Sequence, residues 1–129
     1  MSCKVLFFEY GETEKQFFKM NNFDSIFDFI FLESPLNETT VIDSMQDVSM
    51  ISISSKSIIT EKVLEKFKNL RLISTRTIQF EHIDLNACFH RNIGVVGVEE
   101  LNYSPDYLIK NSFTGMKSFL CGGKDNRVV

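Results

Sequence analysis

TEKVLEKFKNLRLISTRT, residues 60–77, carries a helix and a strand in one line. Val63, Leu64, Phe67 and Leu70 fall at i, i+1, i+4 and i+7, which is one face of a helix. Thr60 is a natural N-cap, because its hydroxyl can accept from an orphan N–H of the first turn. Glu61 in the first turn and Lys66 and Lys68 in the last complement the helix dipole. The spacing predicts a helix over Glu61–Asn69. The rhythm then changes. Leu70–Thr77 is read as the fourth strand.

The same alternation runs outward in both directions. Lys4–Tyr10 reads as a first strand ended by Gly11, and Glu12–Met20 as a short helix. Ser25–Leu32 reads as a second strand stopped by Pro35, and Leu36–Met45 as a helix despite Thr39-Thr40-Val41-Ile42, four β-branched residues in a row. Val48–Ile53 is the third strand. On the other side, Asp84 caps a helix from Leu85 to Arg91, closed by Asn92 and Gly94, and Gly94–Val98 is the fifth strand. Strand and helix alternating with short joins imply βαβ units with right-handed crossovers. Strands that barely alternate suit a sheet covered on both faces. The expected fold is α/β: a flavodoxin-like or Rossmann-like three-layer domain with a parallel five-stranded sheet. Residues 1–105 form the domain, 106–121 a further helix and 122–129 a frayed tail. Ile109, Phe113, Met116 and Leu120 keep helical spacing in the second of these.

Composition narrows the function. The chain has 129 residues, a net charge of −3 and 43% hydrophobic residues. That balance excludes a disordered chain and gives no basic excess for nucleic acid. Three cysteines, an odd number without C-x-x-C spacing, fit a reduced, cytoplasmic setting better than a disulfide scaffold. Val5-Leu6-Phe7-Phe8 is too short for the core of a signal peptide, and no membrane span is expected. Residues 51–80 carry 6 bases and 2 acids, mostly on the surface of the 61–69 helix, which reads as a solvated face.

In parallel α/β sheets ligands sit beyond the carboxyl ends of the strands. Ser52–Ser57, Ser74–Phe80 and Glu99–Pro105 follow strands three, four and five. Their hydroxyls and loop N–H groups, with Arg76 and Tyr103, make a set able to hold a small anion; the plainer reading is that these groups satisfy their own loops and caps. No nucleophile elbow, Walker loop or G-x-G-x-x-G occurs, and the first 93 residues hold one glycine, Gly11. His82, Cys88 and His90 match no zinc spacing and read as parts of an ordinary helix with a buried thiol. Glu99 and Glu100 are adjacent and do not form an acid/base pair by themselves. No catalytic, metal or cofactor-binding residue is assigned.

The segment Ser74-Thr75-Arg76-Thr77-Ile78-Gln79-Phe80-Glu81-His82-Ile83-Asp84, then a helix, then Ile93-Gly94-Val95-Val96, then Asn102-Tyr103-Ser104-Pro105-Asp106, resembles a known family. It is similar to the N-terminal, substrate-binding (catalytic) domain of the D-isomer-specific 2-hydroxyacid dehydrogenases, with the D-lactate dehydrogenases, including the vancomycin-resistance type, nearest. The likeness runs over roughly residues 4–116. It implies interconversion of 2-keto and D-2-hydroxy acids by an NAD-dependent enzyme of two domains. It also implies a substrate carboxylate held by the N–H groups of Ile78 and Gln79, with Tyr103 at the same site. Gln79 stands where the family has Gly, the residue that allows positive φ and close approach of a ligand. The cofactor loop, the substrate-binding Arg and the Glu–His pair belong to the family's second domain and map to nothing in these residues. NAD is therefore not expected to bind this chain alone. Two other readings stay open: an interaction module that docks an intact dehydrogenase or an NAD-binding domain through the 108–120 helix, and a non-catalytic binder of small 2-keto or 2-hydroxy acids.

Overall fold

The computed structural model describes residues 3–20, 27–41 and 47–98. Five strands form one all-parallel sheet: β1 (Cys3–Phe7), β2 (Phe27–Phe31), β3 (Met50–Ile53), β4 (Leu72–Thr75) and β5 (Gly94–Val96), in the order β2-β1-β3-β4-β5. This is the doubly wound α/β arrangement expected from the alternation. The chain moves one way from β1 to β2 and the other way from β3 to β5, so right-handed crossovers fall on opposite faces.

One face of the sheet presents Leu6, Ile51, Ile53, Ile73 and Val95 to the main core. Helices α2 (Glu61–Leu64) and α3 (Leu85–His90) close it with Val63, Leu64, Ala87 and Cys88. Each fully buried Val, Leu or Ile among these contributes roughly 1.5–3 kcal/mol. The other face is also buried. Across it, in register, run Phe31, Phe7, Ser52, Ser74 and Val96, and the middle three are wholly buried. Burial on both sides explains why these strands read as near-continuous apolar runs. The β1–β2 end of that row is aromatic. Phe7 meets Phe29 and Phe31 edge-on at 6.2 and 5.6 Å, and Tyr10 stacks on Phe31 at 4.1 Å.

The caps follow from the sequence. Gly11 N–H is held by the Glu14 carboxylate at 2.9 Å, so helix α1 (Glu12–Met20) starts with half of a capping box. Thr60 and Asp84 accept from Val63 N–H and Ala87 N–H, as N-caps should. Asn92 closes α3 with φ 58°, and the bonds Ile93 N–H to Cys88 O and Asn92 N–H to Phe89 O complete a Schellman motif.

Two expected helices change. Helix α2 begins at its cap but stops at Leu64. Lys66 and Phe67 then donate to Val63 and Leu64, three residues back. This tighter turn still buries Phe67 and Leu70. The expected helix Leu36–Met45 is absent over 36–41; its remainder lies outside the described residues. Asn37 takes Thr39 N–H at 2.9 Å and Thr39 Oγ1 at 2.6 Å, and Asn37 N–H donates to Thr40 Oγ1 at 3.0 Å. Local side-chain bonds of this kind compete with a helix, and β-branched residues weaken it further. Residues 106–129, the expected further helix and tail, lie outside the described residues.

Candidate functional site

The carboxyl edge of the sheet is built from three consecutive connections. Glu9 follows β1 and adopts φ 59°, a left-handed conformation that costs a non-glycine residue about 1 kcal/mol. Its carboxylate offsets that cost. It accepts Ser54 N–H at 2.9 Å, Ser57 N–H at 3.0 Å, Ser57 Oγ–H at 2.7 Å and Lys56 N–H at 3.2 Å. The turn after β3 is thus an anion nest filled by the protein's own carboxylate. Ser57 Oγ in turn accepts Leu36 N–H at 2.9 Å, which docks the 35–40 turn against the same edge.

Arg76 follows β4 and turns inward. Nη1 donates to Ser52 Oγ at 2.6 Å and Nη2 to the Phe8 carbonyl at 2.7 Å, while the guanidinium lies 4.2 Å from the centre of the Phe7 ring. The residue is only 3% exposed. Burial is the main cause that lowers its pKa to about 10, opposed by Glu14 and Glu9, so it stays charged at neutral pH. Of the two readings open for Arg76, the bonds seen are those of the plainer one: Nη1 and Nη2 hold β1, β3 and β4 together, while the residue also lines the cleft described next. Glu9 and Arg76 fill the crevice between β1 and β3, where the strand order reverses and such folds commonly bind ligands.

The open cleft lies one strand further on. Ser54, Ser55 and residues 76–79, 81 and 82 line a hollow of about 530 Å³. Ile78 and Gln79, the residues that the resemblance implies for a substrate carboxylate, are both in its wall. Among the described residues their N–H groups donate to nothing. Gln79 does not take a positive φ; Glu9 and Asn92 alone do so among the non-glycine residues described. The loop therefore carries the Gln79 side chain without backbone strain. Val98 N–H anchors the loop at Thr77 O at 3.1 Å. Gly97 lets it lie close: a Cβ there would stand 2.7 Å from the Phe80 ring and 2.9 Å from the Thr77 carbonyl. Tyr103, the third expected site residue, lies outside the described residues, as do Glu99 and Glu100.

His82 is the residue that sequence reading passed over. It precedes α3 rather than sitting in it, lines the cleft, and has its Nε2 3.0 Å from Oγ1 of the buried Thr75. Thr75 Oγ1 is 2.7 Å from Thr77 Oγ1, which donates to the Gln79 carbonyl at 2.7 Å. Burial lowers the His82 pKa below 6.5, opposed by Glu9 and Glu81. The backbone around His82 is fixed by a parallel bridge in which Ile59 N–H donates to His82 O and Asp84 N–H to Ile59 O. The available sequence signal was Thr75 and Thr77, which share one side of an extended segment, with a histidine five residues on. Cys88 is in the core, its thiol pushed up to about 11 by burial, and His90 is exposed. The described residues contain no cluster of three metal-ligating side chains.

Residues 5–105 match the family of the D-isomer specific 2-hydroxyacid dehydrogenase, catalytic domain. The chain belongs to this family. Solved structures agree on the fold. D-lactate dehydrogenase from Escherichia coli superposes with a TM-score of 0.67 at 21% identity, over 89% of this chain and 36% of that one. The Aquifex aeolicus D-lactate dehydrogenase, complexed with NAD and lactic acid, gives 0.61 at 23% identity, over 88% and 33%. D-2-hydroxyisocaproate dehydrogenase gives 0.65 at 20%, over 91% and 35%. The chain thus spans about a third of the length of these enzymes. No curated protein matches it in sequence. No described helix is long and apolar enough to cross a membrane.

Proposed function

We propose that this chain supplies the substrate half of an NAD-dependent D-2-hydroxyacid dehydrogenase of the D-lactate type. Its cleft beyond β3 and β4 takes the carboxylate of a small 2-keto or 2-hydroxy acid. The observation that carries this reading is that, among the described residues, nothing takes the N–H groups of Ile78 and Gln79 in the wall of that cleft. Two fixed N–H donors in a partly dry hollow favour an anion, and a carboxylate offers two acceptor oxygens. Tyr103 is assigned to the same site by family resemblance.

Hydride transfer needs a cofactor domain that these residues do not supply. The crevice between β1 and β3 offers no fit for a dinucleotide, because the Glu9 carboxylate already occupies its N–H donors and would repel a pyrophosphate. Cofactor, proton donor and substrate arginine are read as contributions of a second domain, on the same chain or another. The docking-module reading rests on residues 108–120, which lie outside the described residues.

Amide NMR titration of the chain with pyruvate and D-lactate tests the proposal. Saturable shifts at Ile78 and Gln79 are expected; shifts confined to other regions, or none, overturn the carboxylate site. NADH oxidation with pyruvate is expected only when a cofactor domain is added, and turnover by the chain alone would refute the division of labour.

A further inference from the structure

We infer that His82 is a positioning residue for the carboxylate loop: through Thr75 and Thr77 it drives a one-way hydrogen-bond chain that pins the carbonyl of Gln79. The inference rests on the reading of the cleft as a carboxylate site and adds how its loop is held.

Proton counting fixes the direction. The Gln79 carbonyl can only accept, so Thr77 spends its single hydroxyl proton on it at 2.7 Å. Thr77 then has only lone pairs left for Thr75, which must donate across 2.7 Å. Thr75 has no second proton, so His82 Nε2 must carry hydrogen and donate across 3.0 Å. The histidine is the sole source of the chain, and a ring protonated only on Nδ1 breaks it. At the other end, a carbonyl tied to Thr77 is not free to turn toward an incoming anion. Carbonyl oxygen facing carboxylate oxygen is repulsive, so a loop with that carbonyl loose binds an anion less well. His82 is itself held by the Ile59–Ile83 bridge, so the chain transmits the rigidity of the β3–α2 connection to residues 77–79.

The test uses the full chain with Thr75→Val, nearly isosteric but lacking the hydroxyl, and Thr75→Ser, which keeps it. Long-range nitrogen–proton correlation of His82 in the wild type is expected to show Nε2–H with the lone pair on Nδ1; the opposite tautomer overturns the chain. Thr75→Val is expected to weaken pyruvate binding roughly tenfold, the loss of one well-placed hydrogen bond. Thr75→Ser should restore most of it. Valine and serine variants that both bind like the wild type overturn the proposal. If pyruvate moves no amide even in the wild type, the carboxylate reading fails, and the loop lock is judged without ligand. Thr75→Val must then shift and broaden Gln79 and Phe80 while Thr75→Ser does not; unchanged loop signals in the valine variant refute it.

Discussion

Two neighbouring connections at the carboxyl edge have the same raw material and different fates. The turn after β3 offers the N–H groups of Ser54, Lys56 and Ser57, and Glu9 takes all three. The turn after β4 offers those of Ile78 and Gln79, and no described residue takes them. An anion-binding backbone is thus a structural joint in one place and a candidate site in the other. What separates them is whether an acidic side chain from the preceding strand reaches in. Beyond β1 that residue is Glu9. Beyond β3 the facing residues are Ser54 and Ser55, which bring no charge; the acid in the cleft wall, Glu81, belongs to the loop after β4 and takes neither N–H.

The largest expected effect comes from emptying the first turn. Glu9→Ala removes four hydrogen bonds to one carboxylate and should cost about 3 kcal/mol in urea unfolding. Added formate should then recover part of the loss, since the vacated turn becomes a second open anion site. A stable Glu9→Ala protein, indifferent to formate, would break the parallel between the turns.

Next is the residue that separates the crevice from the cleft. Lysine in place of Arg76 cannot reach Ser52 Oγ and the Phe8 carbonyl together, so Arg76→Lys should cost about 2 kcal/mol. Thermal unfolding checks this, and a variant as stable as the wild type would show that the buried fork contributes little. Gly97→Ala pushes on the Phe80 ring and on the Thr77 carbonyl at once, with an expected loss of roughly 1–2 kcal/mol. Amide shifts of this variant should concentrate in residues 77–80; a change spread evenly over the sheet would mean that the glycine does not shape the loop.

The smallest effect is one of pH. Burial depresses the His82 pKa below 6.5, so the folded protein resists protonation that the unfolded chain accepts. Its contribution is fully present above about pH 6.5, the ordinary histidine value, and is lost as pH falls through the folded pKa. Stability between pH 7 and 5 should therefore drop less steeply in His82→Gln than in the wild type. Denaturant midpoints across that range decide it, and parallel slopes would remove the histidine from the account.

Much of this was readable in the residues. Thr60, Asp84 and Asn92 marked the helix ends they make, because a cap is a local bond between neighbours in sequence. Val5, Ile51, Ile73 and Val95 marked a sheet buried on both faces, because apolar runs without alternation have no other stable use. The resemblance implied the loop of Ile78 and Gln79, and both residues lie in the wall of the cleft. What was not legible shares a cause. Arg76 was open to two readings, an anion ligand or a group satisfying its own loop, and Glu9 was assigned no role. Their roles depend on partners 24 to 68 residues away in the chain. His82 looked like part of a helix because its partners, Thr75 and Thr77, reach it only when the loop folds back.

The sequence by itself determined the parallel α/β sheet and its caps, since each follows from local propensity and apolar pattern. Only the tertiary structure decided which of two similar turns is filled and which is open. That choice depends on where one carboxylate and one guanidinium lie across three strands, and strand order brings those groups together in a way that no local spacing encodes.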